Sequence, residues 1–143
     1  MQLTGLHHVT LICSDLDRSI AFYRDTLGLG IVRDGPSDDD PDVRHVWFGA
    51  VDGAPGRLVS LMEYPQLPEG VVGVGSTHHF ALAVDSAEEL DAWRDYLRGQ
   101  GVECSDVFER GGFRSVYVRD PDGHVVEIAT RPGNEPRRHP GAP

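Results

Sequence analysis

Leu6-His7-His8-Val9-Thr10-Leu11, running on to Asp15, is answered by Thr77-His78-His79-Phe80-Ala81-Leu82, running on to Asp85. The correspondence continues outward. Tyr23-Arg24-Asp25 with Leu27 returns seventy residues later as Trp93-Arg94-Asp95 with Leu97, and Val46-Trp47-Phe48 before Asp52-Gly53 returns as Val116-Tyr117-Val118 before Asp122-Gly123. Self-similarity at a fixed offset marks one supersecondary unit used twice. Two such units can build a shared cleft, with the paired histidines at equivalent places in it.

Residues 6 to 13 alternate and are rich enough in β-branched side chains for a strand, and Ser14-Asp15 then offers N-cap chemistry for a helix from Leu16 to Leu27. Ile20, Phe22, Tyr23 and Leu27 give that helix an apolar stripe, and Gly28 and Gly30 end it. The same logic predicts a helix over 87–98 with the stripe Leu90, Trp93 and Leu97, opened by a capping box at Ser86 and Glu89 and stopped by Gly99 and Gly101. Three strands follow each helix, at 30–34, 43–50 and 57–64, then at 102–109, 113–119 and 124–130. Each copy therefore reads β-α-β-β-β. The fold class is α+β: a single module over 1–131, with repeat one at 5–64, a linker at 65–76 rich in Pro and Gly, and repeat two at 77–131. From 132 to 143 the Pro-rich tail predicts disorder, and His139 receives no role. Asp34 to Asp42 reads as a solvated acidic loop, with a lid or metal-capturing role as the alternative.

A chain of 143 residues suits one domain built from two half-units. The net charge of -10, with no basic cluster outside the tail, speaks against nucleic-acid binding. Two cysteines, Cys13 and Cys104, one in each copy, fit reduced thiols rather than a disulfide framework. No signal peptide and no membrane span is read from the sequence, which places the protein in the cytoplasm.

Neighbouring strand residues point to opposite faces, so one histidine of each pair faces a cleft, and the symmetric choice is His8 with His79. Glu127 lies in the apolar run Val125-Val126-Glu127-Ile128-Ala129, where a carboxylate is costly to bury unless it is paired or binds a cation. Two imidazoles and one carboxylate, with other positions open, form the facial triad associated with non-haem Fe(II). Laid on the first copy, with Ala54-Pro55-Gly56 as extra residues, Glu127 falls on Ser60 in Leu58-Val59-Ser60-Leu61. A second carboxylate is missing there, which leaves more coordination positions for an organic ligand and a small molecule.

The His-x-x-Leu-x-x-x-Asp start and the Asp-Pro-Asp-Gly-x-x-x-Glu ending resemble the vicinal oxygen chelate superfamily, which includes glyoxalase I, fosfomycin-resistance thiol transferases, extradiol dioxygenases and bleomycin-binding proteins. The likeness covers residues 5 to 131. It implies two βαβββ repeats forming a curled mixed sheet around a metal, with ligands at His8, His79 and Glu127. Glyoxalase-like members usually carry Glu where this chain has Ser60. The run from Glu109 through Arg110, Phe113, Ser115 and Tyr117 to Pro121 is similar to the ring-cleaving hydroquinone dioxygenase branch. In that branch the residues matching Arg110, Tyr117, His7 and Thr10 line the site. A phenolic hydroxyl near a cation can exchange protons with a substrate hydroxyl, and a histidine beside the metal can act as base. Two departures stand out: the branch carries two modules per chain, and the aromatic usual before Phe113 is Gly112 here.

The resemblance implies an Fe(II)-dependent ring-cleaving dioxygenase acting on a small dihydroxylated aromatic with O2, Mn(II), Ni(II) and Zn(II) being alternative metals. A homodimer would restore two modules per site, pairing His8 of one subunit with His79 and Glu127 of the other. One rival is a glyoxalase-like isomerase, epimerase or thiol transferase with a Lewis-acid metal, although the absent carboxylate at Ser60 and the absent basic anion pocket speak against it. The other is a metal-free binding protein of the bleomycin-sequestering kind, with the acidic Asp38-Asp39-Asp40 loop toward a basic ligand. Neither a nucleic-acid nor a membrane partner is expected.

Overall fold

Alternation decides which face of the inner strands is buried. A computed structural model describes residues 2–3, 5–49 and 58–131. The expected turn at Asp52-Gly53, the insertion Ala54-Pro55-Gly56 and the tail from residue 132 lie outside the described residues. The chain divides into two compact units; the first runs to His78 and takes in Asp120–His124, and the second takes His79–Arg119 and the chain from Val125 onward.

The first unit has strands β1 (His8–Cys13), β2 (Gly30–Pro36), β3 (Arg44–Gly49) and β4 (Leu58–Glu63) in the order β1-β4-β3-β2. β1 runs parallel to β4 and the other pairs are antiparallel. On one face of this sheet Leu11, Cys13, Val46, Phe48, Val59 and Leu61 are buried with Leu16, Ile20, Phe22 and Tyr23 from the connection between β1 and β2. The other face carries His8, Thr10, His45, Trp47 and Ser60, which follow from the same period of two.

The second unit repeats the plan with β5 (Phe80–Val84), β6 (Phe108–Arg110), β7 (Phe113–Arg119) and β8 (Val125–Thr130) in the order β5-β8-β7-β6. Its core face buries Val84, Val116, Val118, Val126 and Ile128 with Leu90 and Leu97 of helix α2 (Ala87–Gly99). Ser86 caps α2 by accepting from Glu89 N, and Glu89 Oε2 returns the contact to Asp85 N. Both copies thus form the βαβββ unit read from the sequence, each with its own mixed four-stranded sheet.

Two elements differ from the sequence pattern. The first helix is α-helical only as α1 (Leu16–Ile20), capped by Asp15, and continues as a π-helical turn over Ala21–Thr26. Leu27 N donates to Phe22 O, five residues back, at 2.9 Å. Phe22, Tyr23 and Leu27 are all buried on this widened turn. The strand expected at 102–109 is reduced to β6, with Cys104 making an isolated bridge to Val118. Ser105 Oγ accepts from Tyr117 N and the Arg98 guanidinium takes Cys104 O, so the ladder is interrupted by side chains.

The acidic segment is held by arginines. Arg33 binds Asp38 at 2.7 Å, and Arg44 binds Asp34 and Asp17 at 2.8 Å each. Those contacts hold the Asp34 and Asp38 carboxyls below the usual carboxylate range. Among the described residues no helix is long and apolar enough to cross a membrane.

Candidate functional site

Register alone shows which residues of the two sheets correspond. Thr10 pairs with Ser60 across β1 and β4, and Ala81 pairs with Glu127 across β5 and β8. Trp47 pairs with Ser60, and Tyr117 with Glu127. Ser60 and Glu127 are therefore equivalent, as are Trp47 and Tyr117. Two residues before Thr10 and Ala81 stand His8 and His79.

In the second unit the buried Glu127 carboxylate, 4% exposed, is the centre of a small polar group. Tyr117 Oη donates to Glu127 Oε1 at 2.7 Å, and His79 Nε2 lies 3.2 Å from Oε2. The His79 and Tyr117 rings meet edge to face, with centroids 5.7 Å apart. Both oxygens of a buried carboxylate are engaged, which is the condition for keeping it there. Tyr117 touches Phe108 in turn, and Arg110 lies over the Phe108 ring, 5.1 Å from its centroid. Among the described residues Arg110 thus reaches the group through the Phe108 ring.

β6 and β7 are joined at Gly111 and Gly112, whose φ angles of +46° and +104° are those of a type I′ hairpin turn. A side chain at Gly112 would be strained, so the missing aromatic before Phe113 is explained by the turn rather than by the shape of a ligand.

In the first unit His7 Nδ1 and His8 Nδ1 lie 2.8 Å apart. The alternation expected for this pair fails because β1 begins at His8, leaving His7 free to bring its ring edge-on to its neighbour, with centroids 5.1 Å apart. One of the two Nδ1 atoms must carry the hydrogen. If His8 donates, its Nε2 keeps a lone pair, and His7 is the neutral tautomer protonated at Nε2. Thr10 Oγ1 and Ser60 Oγ share a hydrogen bond of 2.9 Å where the second copy has Ala81 and Glu127.

Trp47 packs against His8, and His45 packs against Trp47, with centroid distances of 4.7 and 5.0 Å. Burial, assisted by the charge of Arg33, lowers the His45 pKa below that of a free imidazole. Sequence reasoning passed over His45 and Trp47. The signal was present in the alternation of β3, which puts them on the face of His8.

Among the described residues no three His, Cys, Asp or Glu side chains stand close enough to hold a metal ion. The donors themselves suit one. Glu127 is a buried carboxylate facing an imidazole, and His8 sits at the equivalent place of the other sheet with a nitrogen whose tautomer a neighbour can fix.

The family model for the Glyoxalase/Bleomycin resistance protein/Dioxygenase superfamily matches residues 5–128. A Bacillus subtilis protein named "Putative ring-cleaving dioxygenase MhqA" is 28% identical over 128 residues, 90% of this chain and 40% of its own. This chain thus spans about two-fifths of that relative's length. The crystal structure of a protein named "putative dioxygenase" from the same organism superposes with a TM-score of 0.82 at 30% identity, covering 90% of this chain and 41% of that one. A mutant of the Listeria monocytogenes fosfomycin resistance protein FosX, complexed with Mn(II) and 1S,2S-dihydroxypropylphosphonic acid, superposes with a TM-score of 0.66 at 26% identity over 89% of this chain and 92% of its own. With most of its length matched by the family model and the paired βαβββ fold in place, the chain belongs to the glyoxalase/bleomycin resistance protein/dioxygenase superfamily.

Proposed function

We propose that this protein is a cytoplasmic, metal-dependent ring-cleaving dioxygenase that opens a small dihydroxylated aromatic with O2. Its metal would be held by His8, His79 and Glu127. The observation that supports the reading is the unequal pair Ser60 and Glu127 at one register position: with two equivalent histidines and one carboxylate, the ligand set would number three and leave positions open. The likeness to a relative named "Putative ring-cleaving dioxygenase MhqA" supports the same choice. When bound, Fe(II) would supply the means of bringing a phenolate and O2 together and passing electron density between them.

The chain's own residues then have defined tasks. Tyr117 spends its hydroxyl on Glu127 Oε1 and so orients Oε2, which makes it a positioning residue rather than the direct proton donor that the sequence pattern suggests. With His8 Nδ1 as the donor, His7 would fix the tautomer in which His8 Nε2 keeps its lone pair. Its role as a base for the substrate hydroxyl requires its ring to leave that contact. Phe108, with Arg110 above it, walls the Tyr117 side with an aromatic and a cation, suited to a phenolate. Both atoms of O2 would end in the product as the bond between two ring carbons breaks.

The third ligand comes from a second copy in this reading: His8 of one subunit joins His79 and Glu127 of its partner in a homodimer. Oxygen consumption by protein loaded anaerobically with Fe(II), measured against hydroquinones and catechols with His8→Ala as control, tests the activity. Uptake that needs iron and His8, with loss of aromatic absorbance, is the expected result. No uptake across the series from protein holding stoichiometric iron would overturn it in favour of a non-oxidative metal reaction.

A further inference from the structure

Two ring nitrogens on the polar face of the first sheet are buried without a partner among the described residues. His45 and Trp47 stand two apart on β3, so both rings rise from the face that carries His8, Thr10 and Ser60. Trp47 lies against an imidazole on either side, His8 at 4.7 Å and His45 at 5.0 Å between centroids. Among the described residues Trp47 Nε1 and His45 Nε2 have no hydrogen-bond partner. Buried polar atoms of this kind are rare in folded proteins, because burial removes water without replacing it. The face as a whole is not poorly satisfied, since Thr10 and Ser60 beside them bond each other.

The second sheet repeats the pattern with different chemistry. Trp47 corresponds to Tyr117, so His45 corresponds to Ser115. Ser115 is fully buried, and its Oγ also lacks a partner.

We propose that His45 and Trp47 form the subsite for the second oxygen of the aromatic substrate, the hydroxyl or carbonyl not held at the metal. Trp47 Nε1–H donates to that oxygen and His45 Nε2 completes its hydrogen bonding. An indole nitrogen is a donor only, so a methyl or a halogen at this place leaves both nitrogens unpaired. The pair thereby selects oxygen-bearing rings, and it does so beside His8. This assignment rests on the ring-cleaving reading.

The test uses the full chain loaded with Mn(II) under anaerobic conditions, with calorimetric titration of hydroquinone and of phenol, which lacks the second oxygen. Trp47→Phe and His45→Phe are each expected to weaken hydroquinone binding about tenfold while changing phenol binding by less than about twofold. His45→Gln, which keeps a donor, should recover part of the loss. Circular dichroism establishes that each variant folds. Equal affinities for hydroquinone in wild type and variants, or equal losses for both ligands, would overturn the subsite while leaving ring cleavage standing. If the oxygen-uptake experiment fails instead, the Trp47 indole 1H–15N signal decides the subsite by itself, assigned by its loss in Trp47→Phe. Movement of that signal on adding hydroquinone, catechol or benzoquinone supports the assignment, and its constancy with all three overturns it.

Discussion

Ser60 and Glu127 occupy one register position in two related sheets, yet Ser60 bonds Thr10 while Glu127 bonds Tyr117 and faces His79. The difference separates a sheet that closes on itself from one that presents a carboxylate oxygen.

Tyr117→Phe removes the contact that holds Glu127 Oε1 without changing the size of the ring. Outer contacts of this kind are worth about 10–100-fold in metal affinity. Titration of the variant with Mn(II) should show a loss in that range with the circular dichroism spectrum unchanged. Unaltered affinity would remove Tyr117 from the positioning role.

Mixing two inactive variants tests whether the site is shared between subunits. His8→Ala and Glu127→Ala, unfolded and refolded together, should regain roughly a quarter of the wild-type metal sites, because half of the dimers are mixed and each holds one intact triad. Each variant refolded alone should hold none. A mixture that binds no more metal than its components would show that all three ligands come from one chain.

Tyr23 is fully buried on the π-helical turn, and its hydroxyl donates to Asp120 Oδ2 at 2.8 Å. Asp120 is also buried and accepts from the backbone of Asp122 and His124. Burial, reinforced by the Asp120 charge, pushes the Tyr23 pKa far up, so the phenol remains a donor at any working pH. Tyr23→Phe should lower stability by about 1–3 kcal/mol in urea unfolding. Asp120→Ala should cost more, since it strands two backbone donors as well as the phenol.

Burial raises the Cys13 thiol from 9.0 to about 11, and Cys104 moves the same way for the same first cause. A folded pKa above the unfolded one means that the neutral thiol is the form the fold accommodates. Its contribution is complete below pH 9 and is lost as pH rises toward 11. Iodoacetamide at pH 8 should therefore modify Cys13 about 100-fold more slowly in the native protein than in urea. A native rate near that of the unfolded chain would contradict the buried environment.

Much of this was legible in the residues because duplication doubles every local signal. The strand at 113–119, the helix from Ala87 and the equivalence of His8 with His79 all rest on alternation, capping or self-comparison, and the structure has them in those places. The π-helical turn was not legible, because a stripe at Phe22, Tyr23 and Leu27 reads as an ordinary helix until the partner of Tyr23, 97 residues on, is known. The shortened β6 has the same cause, a serine side chain from one segment answering a backbone amide in another. His45 and Trp47 were visible as alternating residues, but the absence of partners for their nitrogens is a property of three dimensions. The acidic loop looked like a free charge run, and its pairing with Arg33 and Arg44 depends on hairpin geometry that composition does not report.

The turn Asp120–His124 belongs to the first compact unit although the chain on both sides of it belongs to the second. It is fastened there by Tyr23, by Arg18 on Pro121 O and by His124 on Ile12 O. A gene cut in the linker would therefore not yield two self-sufficient halves. The N-terminal fragment would end with a buried phenol and no carboxylate to meet it, and the C-terminal fragment would carry a loop whose receptor is on the other piece. Co-expressed, the pieces should find each other through that loop, so a split reporter built on this scaffold has its recognition element already in the sequence.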